Sequence, residues 1–114
     1  MNPSDLKELV AQAKEAQSKM AELQRALATR RVEGSAGGGM VTAVATGELR
    51  ILKIEIEPSL LDTGDREMIQ DLTAAAVNAA LANAQKMVQE EIQRASVNIA
   101  VPNLADLLGS DAGS

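Results

Sequence analysis

The chain has 114 residues and contains no Cys, His, Phe, Tyr or Trp. A disulfide framework, a Cys/His zinc site and stacking of aromatic rings on nucleobases are therefore excluded, and no His or Cys can serve as a base or nucleophile. Apolar residues make up 46% of the sequence, which is typical of a folded protein, but much of this fraction is Ala, which buries little area per residue. A core this thin predicts an oligomer.

The formal net charge of −5 is distributed unevenly along the chain. Residues 1–31 carry six basic and four acidic side chains, whereas residues 32–65 carry two basic and six acidic ones. Lys and Arg make most protein contacts with nucleic-acid phosphates, so a segment that binds them should have a net positive charge. Only the N-terminal segment has one. The N-terminus lacks a signal-peptide pattern and no apolar stretch is long enough to span a membrane, which predicts a cytoplasmic protein.

Residues 3–29 are predicted to form one long helix. Apolar side chains recur at alternating spacings of three and four over three heptads, which is the a/d pattern of a helix that packs on another helix. These side chains are Leu6, Leu9, Ala13, Ala16, Met20, Leu23 and Leu27. Asn2 is the predicted N-cap, and Pro3 suits the first helical position.

Three strands are predicted next, at residues 31–34, 40–46 and 49–57. A Gly-rich turn at residues 37–39 and a tight turn at Gly47–Glu48 separate them. In the third strand, period-two alternation places Leu52, Ile54 and Ile56 on one face, and Leu49 and Ile51 on the otherwise polar face. Apolar surface on both faces of a sheet that has a single helical layer predicts a dimer contact.

Asp65 is the predicted N-cap of a second long helix that runs to about Ala95. Its broad apolar stripe comprises Met68, Ile69, Leu72, Ala75, Ala76, Ala79, Ala80 and Met87. The Ala-rich centre of this helix allows another element to approach closely, and its polar end is predicted to project beyond the core. The predicted fold is α+β, with the order α-β-β-β-α and a three-stranded antiparallel meander. Residues 1–96 are predicted to form one domain, and residues 97–114 are predicted to form a partly disordered C-terminal tail.

No catalytic site, cofactor site or metal site is predicted. The glycines at residues 34–39 do not form a phosphate-binding loop, because Met40 and Val41 stand where that motif requires Lys and Ser or Thr. Three carboxylate pairs occur, namely Glu55/Glu57, Asp62/Asp65 and Glu90/Glu91. Their positions are those of solvated or helix-capping side chains, and no His accompanies them, so the sequence does not predict an enzyme.

The remaining candidates for a functional site are basic side chains on the two helices. They are Lys7, Lys14, Lys19, Arg25, Arg30, Arg31, Lys86 and Arg94. A dimer would double each of them, and two helical arms could then contact phosphates along a duplex through charge and shape. Two alternatives stay open. The charges of the first helix can simply form a solvated face, and Arg30 and Arg31 can complement the helix dipole.

Three motifs are distinctive in combination: IEIEPSLLD at residues 54–62, DREMIQDL at 65–72 and AAVNAA at 75–80, followed by Lys86. Together they resemble the YbaB/EbfC family of bacterial nucleoid-associated proteins, over about residues 5–96. The resemblance implies a tight, tweezer-shaped homodimer whose helical arms grip double-stranded DNA with little sequence specificity, and a role in nucleoid organisation or gene expression. Val77 departs from the family, which often has an aromatic residue at that position.

The predicted dimer interface combines the third strand with the Ala-rich helix. It comprises Leu49, Ile51, Leu52, Ile54, Ala75, Ala76 and Ala79. A non-enzymatic scaffold is the alternative function, because the net charge of −5 and the mixed charges of the helical arms are less favourable for DNA. The resemblance also implies genes that lie beside those of a clamp-loader subunit and a recombination mediator. The partner of the scaffold would then be a replication or recombination protein.

Overall fold

The computed structural model describes residues 2–98. The elements are α1 (Pro3–Thr29), β1 (Arg31–Ala36), β2 (Val41–Thr46), β3 (Ile51–Ile56), α2 (Pro58–Asp62) and α3 (Arg66–Asn98). The strands form an antiparallel sheet in the order β1-β2-β3. The predicted α-β-β-β-α order and meander are confirmed, with the short helix α2 as an addition. The predicted tail lies outside the described residues from residue 99 onward.

Helix α3 covers one face of the sheet, mainly over β1 and β2. The buried core consists of Val41, Ala43 and Ala45 from β2, Leu60 from α2, and Ala76, Ala80 and Ala84 from α3. At Gly34 the two layers approach so closely that an added Cβ would collide with the backbone of Ala79 and Ala80. The side-chain amide of Asn83 donates a hydrogen bond to the Glu33 carbonyl oxygen at 2.9 Å beside this contact. The close approach predicted for the Ala-rich centre of the helix is therefore confirmed.

Strand β3 departs from the predicted alternation. Ile54 and Ile56 lie on the face that α3 covers, but a register shift then brings Ile51, instead of Leu52, opposite Ala45. Ile51 packs against the core, and Leu52 lies on the outer face of the sheet. The predicted faces of Ile51 and Leu52 were wrong, because a bulge adds one residue to β3 and reverses the alternation of its side chains.

The turn between β2 and β3 has two unusual residues. Leu49, predicted to open the strand, lies in the turn instead with φ +65°, and its N–H donates to the Thr46 carbonyl oxygen at 2.9 Å. Gly47 is needed for space, since an added Cβ would collide with the Leu27 carbonyl group at the end of α1. This turn therefore fixes where α1 meets the sheet.

The two long helices differ in how much of their length packs. At about 1.5 Å per residue, α1 is about 40 Å long and α3 is about 50 Å long. Asp65 caps α3 as predicted, because its Oδ1 accepts a hydrogen bond from the Met68 N–H at 3.0 Å. Asn2 occupies the N-cap position of α1, but its side chain makes no capping hydrogen bond. Residues 3–15 of α1 are exposed throughout, and the described chain extends over 74 × 31 × 16 Å.

Candidate nucleic-acid interface

All eight predicted basic residues are exposed, and they lie on or beside α1 and α3. The structure brings Arg30, at the end of α1, together with Arg94 of α3. Glu91 joins them, since its Oε1 lies 3.5 Å from Nη1 of Arg30 and 2.7 Å from Nη1 of Arg94. The two helices are thus linked by a cluster of two cations and one half-buried carboxylate.

This cluster keeps the capacity to bind an anion. A guanidinium group has five N–H donors, whereas the contacts with Glu91 involve only one nitrogen of each arginine. The arginine side chains are 54% and 65% exposed, and ion pairs at such positions contribute little to stability. Arg30 occupies the C-cap position of α1, so its alternative role beside the helix dipole stays open alongside its contact with Glu91.

The basic side chains of α1 are interleaved with acidic ones. Lys7 and Lys14 lie seven residues apart and share one stripe of the helix. Lys19 forms an i,i+4 ion pair with Glu15, with 3.3 Å between Nζ and Oε1. Glu15 belongs to a second stripe, formed by Glu8, Glu15 and Glu22. The arm therefore presents cations and carboxylates side by side, and its electrostatic field is weaker than the count of lysines suggests.

Sequence reasoning missed Arg50 on the sheet. Arg50 and Arg31 line a shallow pocket on its outer face, together with Glu48 and Thr46. The hydroxyl group of Thr46 is buried there and has no hydrogen-bond partner among the described residues. The net charge of the strand region was too coarse a measure to reveal this pocket. The start of β1 pairs with the end of β2, beside the turn that carries Arg50. That pairing is the signal that could have placed Arg31 and Arg50 together.

Part of the surface predicted to bind a second copy is exposed and apolar. Leu49, Leu52 and Ile54 are 42–48% exposed. Leu52 lies on the outer face of the sheet and Ile54 on the side of α3, so this apolar surface borders β3 on both faces. Leu61 and Met68 are further exposed apolar residues, although the sequence did not single them out for an interface. These five residues are called the β3 patch below.

The helical part of the predicted interface is less consistent with the structure. Ala75 is exposed and Ala79 is half-buried, but Ala76 is fully buried under the sheet of its own chain. The prediction for Ala76 was wrong, because an Ala stripe does not reveal which of its residues face the chain's own sheet. Ile51 likewise packs mainly against the core.

Comparison with known proteins identifies the family. The sequence profile of the YbaB/EbfC DNA-binding family matches residues 1–98. The chain belongs to this family. A nucleoid-associated protein of Pelotomaculum thermopropionicum is 42% identical to it over 104 residues, which cover 91% of this chain and 99% of that protein. A nucleoid-associated protein of Acetivibrio thermocellus is 48% identical over 90 residues, which cover 79% and 80% of the two chains.

A solved structure shares the fold of this chain. The crystal structure of an uncharacterized protein of Helicobacter pylori superposes with a TM-score of 0.57 at 24% identity, and the match covers 89% of this chain and 99% of that one. Within residues 2–98 we find no cluster of three or more carboxylates that could hold a metal ion. No helix in that part of the chain is long and apolar enough to cross a membrane.

Proposed function

We propose that this YbaB/EbfC protein is a nucleoid-associated protein that binds double-stranded DNA as a homodimer, with little sequence specificity and no catalytic role. The observation that carries the proposal is the placement of eight exposed basic residues on or beside two long helices that extend past the sheet. The names of its bacterial relatives support the same function. Its proposed location is the nucleoid, in the cytoplasm.

The uncovered surface of β3 supports dimerisation. Helix α3 lies mainly over β1 and β2, so the residues of the β3 patch stay exposed in their own chain. β3 is also an edge strand, because it pairs only with β2 in the described sheet. An edge strand beside exposed apolar side chains is a favourable surface for pairing with another chain, and a second copy supplies the same surface by symmetry.

The types of side chain support binding without sequence selection. Lys and Arg contacts with phosphates position a protein on a duplex but carry no sequence information. The chain has no aromatic side chain to stack on a base. Charge and the spacing of the arms then determine where the protein binds.

A titration of duplex DNA at several salt concentrations tests the proposal. Fluorescence anisotropy with two unrelated labelled duplexes should give similar affinities, and light scattering should give the mass of a dimer. The logarithm of the binding constant should fall linearly with the logarithm of salt concentration, with a slope of about −0.9 per phosphate contact. Absence of binding at low salt would overturn DNA as the partner, and binding that salt does not weaken would overturn phosphate contacts as its basis.

The acidic stripe of α1 favours the second candidate, a scaffold that binds a replication or recombination protein. Glu8, Glu15 and Glu22 would repel phosphates but suit a basic surface on another protein. If the purified dimer failed to bind either duplex, this candidate would be favoured.

A further inference from the structure

The apolar a/d side chains of α1, here called its apolar seam, become more exposed from the C-terminal end of the helix to the N-terminal end. Leu27 is buried, Leu23 and Met20 are half-buried, and Leu9 and Leu6 are 44% and 53% exposed. Val10 lies beside Leu6 and Leu9 on the helix surface and is 47% exposed. We call Leu6, Leu9 and Val10 the N-terminal stripe. It continues the seam whose other end is already packed.

Helix α3 is too short to cover the whole seam. The two helices meet near Leu27, where the side chain of Val88 and the Leu27 carbonyl group both lie beside Gly47. From Val88, α3 runs ten more residues to Asn98, a length of about 15 Å. The seam from Leu27 back to Leu6 spans 21 residues, about 32 Å. More than a helical turn at the N-terminal end is therefore left without cover from α3.

The sequence that follows α3 carries suitable side chains. Residues 99–114 read IAVPNLADLLGSDAGS and include three leucines at i, i+3 and i+4 spacing, namely Leu104, Leu107 and Leu108. We call them the tail leucines. Five residues separate Leu104 from Asn98, and the six steps of chain between them can span up to about 20 Å. That reach exceeds the roughly 15 Å of helix between Ala16, where the half-buried seam ends, and Leu6.

The charges of the two segments are complementary. Lys7 precedes Val10 by three residues and Lys14 follows it by four, so both flank the N-terminal stripe on one side. Both lysines are exposed. Residues 99–114 contain Asp106 and Asp111 and no basic residue. A segment laid on the stripe would bring its carboxylates close to these lysines.

We propose that residues 99–114 fold back along α1 of the same chain and cover the N-terminal stripe with the tail leucines. The continuity of the seam, the reach of the segment and the opposite charges all favour this occupant. One consequence rests on the proposed function: a docked segment competes with DNA phosphates for Lys7 and Lys14, so it weakens DNA binding.

Amide hydrogen exchange in the full chain tests the docking without DNA. The variant Leu104→Ser, Leu107→Ser, Leu108→Ser should speed exchange about tenfold at residues 6–14 and leave β2 unchanged, because only the arm loses its cover. The matched control is Ala100→Ser, Ala105→Ser, Ala112→Ser, which alters three small residues of the same segment and should leave exchange as in the parent chain. Equal exchange in the parent and the leucine variant would overturn the proposal.

A spin label identifies which chain supplies the segment. The protein has no Cys, so Ser110→Cys carries a single nitroxide label. When every chain carries both the nitroxide and isotope enrichment, the amide signals of residues 6–14 should broaden. A second sample mixes isotope-enriched chains without the nitroxide with spin-labelled chains that are not enriched. In mixed dimers of this kind, the amide signals of residues 6–14 should stay sharp. Broadening in the mixed sample would assign the segment to a second copy and overturn docking within one chain.

DNA binding separates the consequence from the docking. The leucine variant should bind duplex DNA about threefold more tightly than the parent, since Lys7 and Lys14 lose a competitor. Faster exchange together with unchanged DNA affinity would support docking and overturn competition. Faster exchange in a protein that binds no DNA would support docking and overturn the proposed function instead.

Discussion

Helix α1 has the more regular heptad pattern, yet α3 forms the core. The apolar residues of α1 hold a/d spacing over three heptads, but only the C-terminal part of that seam is buried. The central residues of α3 are mostly Ala, and Ala76, Ala80 and Ala84 are completely buried. The comparison shows that periodicity indicates which face of a helix packs, whereas side-chain size at the closest contact decides which partner it packs on.

The largest expected effect concerns the close contact between α3 and Gly34 of β1. Gly34→Ala should destabilise the fold by about 3 kcal/mol or more, because the new Cβ would meet the backbone of Ala79 and Ala80 instead of a movable side chain. Chemical denaturation followed by circular dichroism measures this change. Gly38→Ala is the control, since its added Cβ has nothing within 4 Å and only the positive φ costs about 1 kcal/mol. Equal destabilisation in both variants would contradict the close approach.

The second effect tests the surface that α3 leaves uncovered. Leu52→Asp should weaken the proposed dimer about a hundredfold, or about 2.7 kcal/mol, because a charge would be buried in the interface without a partner. Light scattering over a dilution series measures the dissociation. Lys53→Gln on the same strand should leave the dimer intact, since that exposed lysine pairs with Glu55 of its own chain. A dimer that tolerates Leu52→Asp would place the interface away from the β3 patch.

The third effect concerns the charges of the α1 arm. Neutralising Lys7, Lys14 and Lys19 together should weaken binding of all duplexes about tenfold. The salt slope should become shallower by about 0.9 for each phosphate that the variant no longer neutralises. Stability should change little, because exposed charges contribute little to it. Anisotropy titration across salt concentrations measures both the affinity and the slope.

Two controls sharpen this third prediction. Replacing Glu8, Glu15 and Glu22 with Gln should have the opposite effect on affinity, since it removes repulsion from the same arm. Lys53→Gln on the sheet should leave affinity unchanged. Loss of binding in the sheet variant with retention in the lysine variant would move the DNA contact from the arm to the sheet.

The sequence predicted the elements well because each depends on local signals. Heptad spacing and Pro3 located α1, and Asp65 gave the start of α3 through a hydrogen bond that the structure contains. The faces of β3 could not be predicted in the same way. The exchange of Ile51 and Leu52 arises from a bulge opposite β2, and pairing between strands is a non-local property.

The sequence could predict which types of residue form the candidate site, but not how they are arranged in space. Exposed basic residues on helices follow from composition and periodicity, and all eight are exposed. The shared contact of Arg30 and Arg94 with Glu91 joins the end of α1 to the far end of α3, which spacing along the chain cannot reveal. Arg50 was missed for the same reason, because its neighbour Arg31 belongs to another strand.

The smallest expected effect concerns the junction where α1 and α3 meet. Glu91→Gln removes the half-buried carboxylate that contacts both arginines. Stability should fall by less than about 1 kcal/mol, as is usual for ion pairs whose cations are largely exposed. DNA affinity should rise, because Arg30 and Arg94 lose a competing anion. Glu90→Gln is the matched control: it removes the same charge from an adjacent, exposed position. Comparing the two titrations isolates the contact from the change in net charge, and equal affinities would exclude the arginine cluster from the DNA contact.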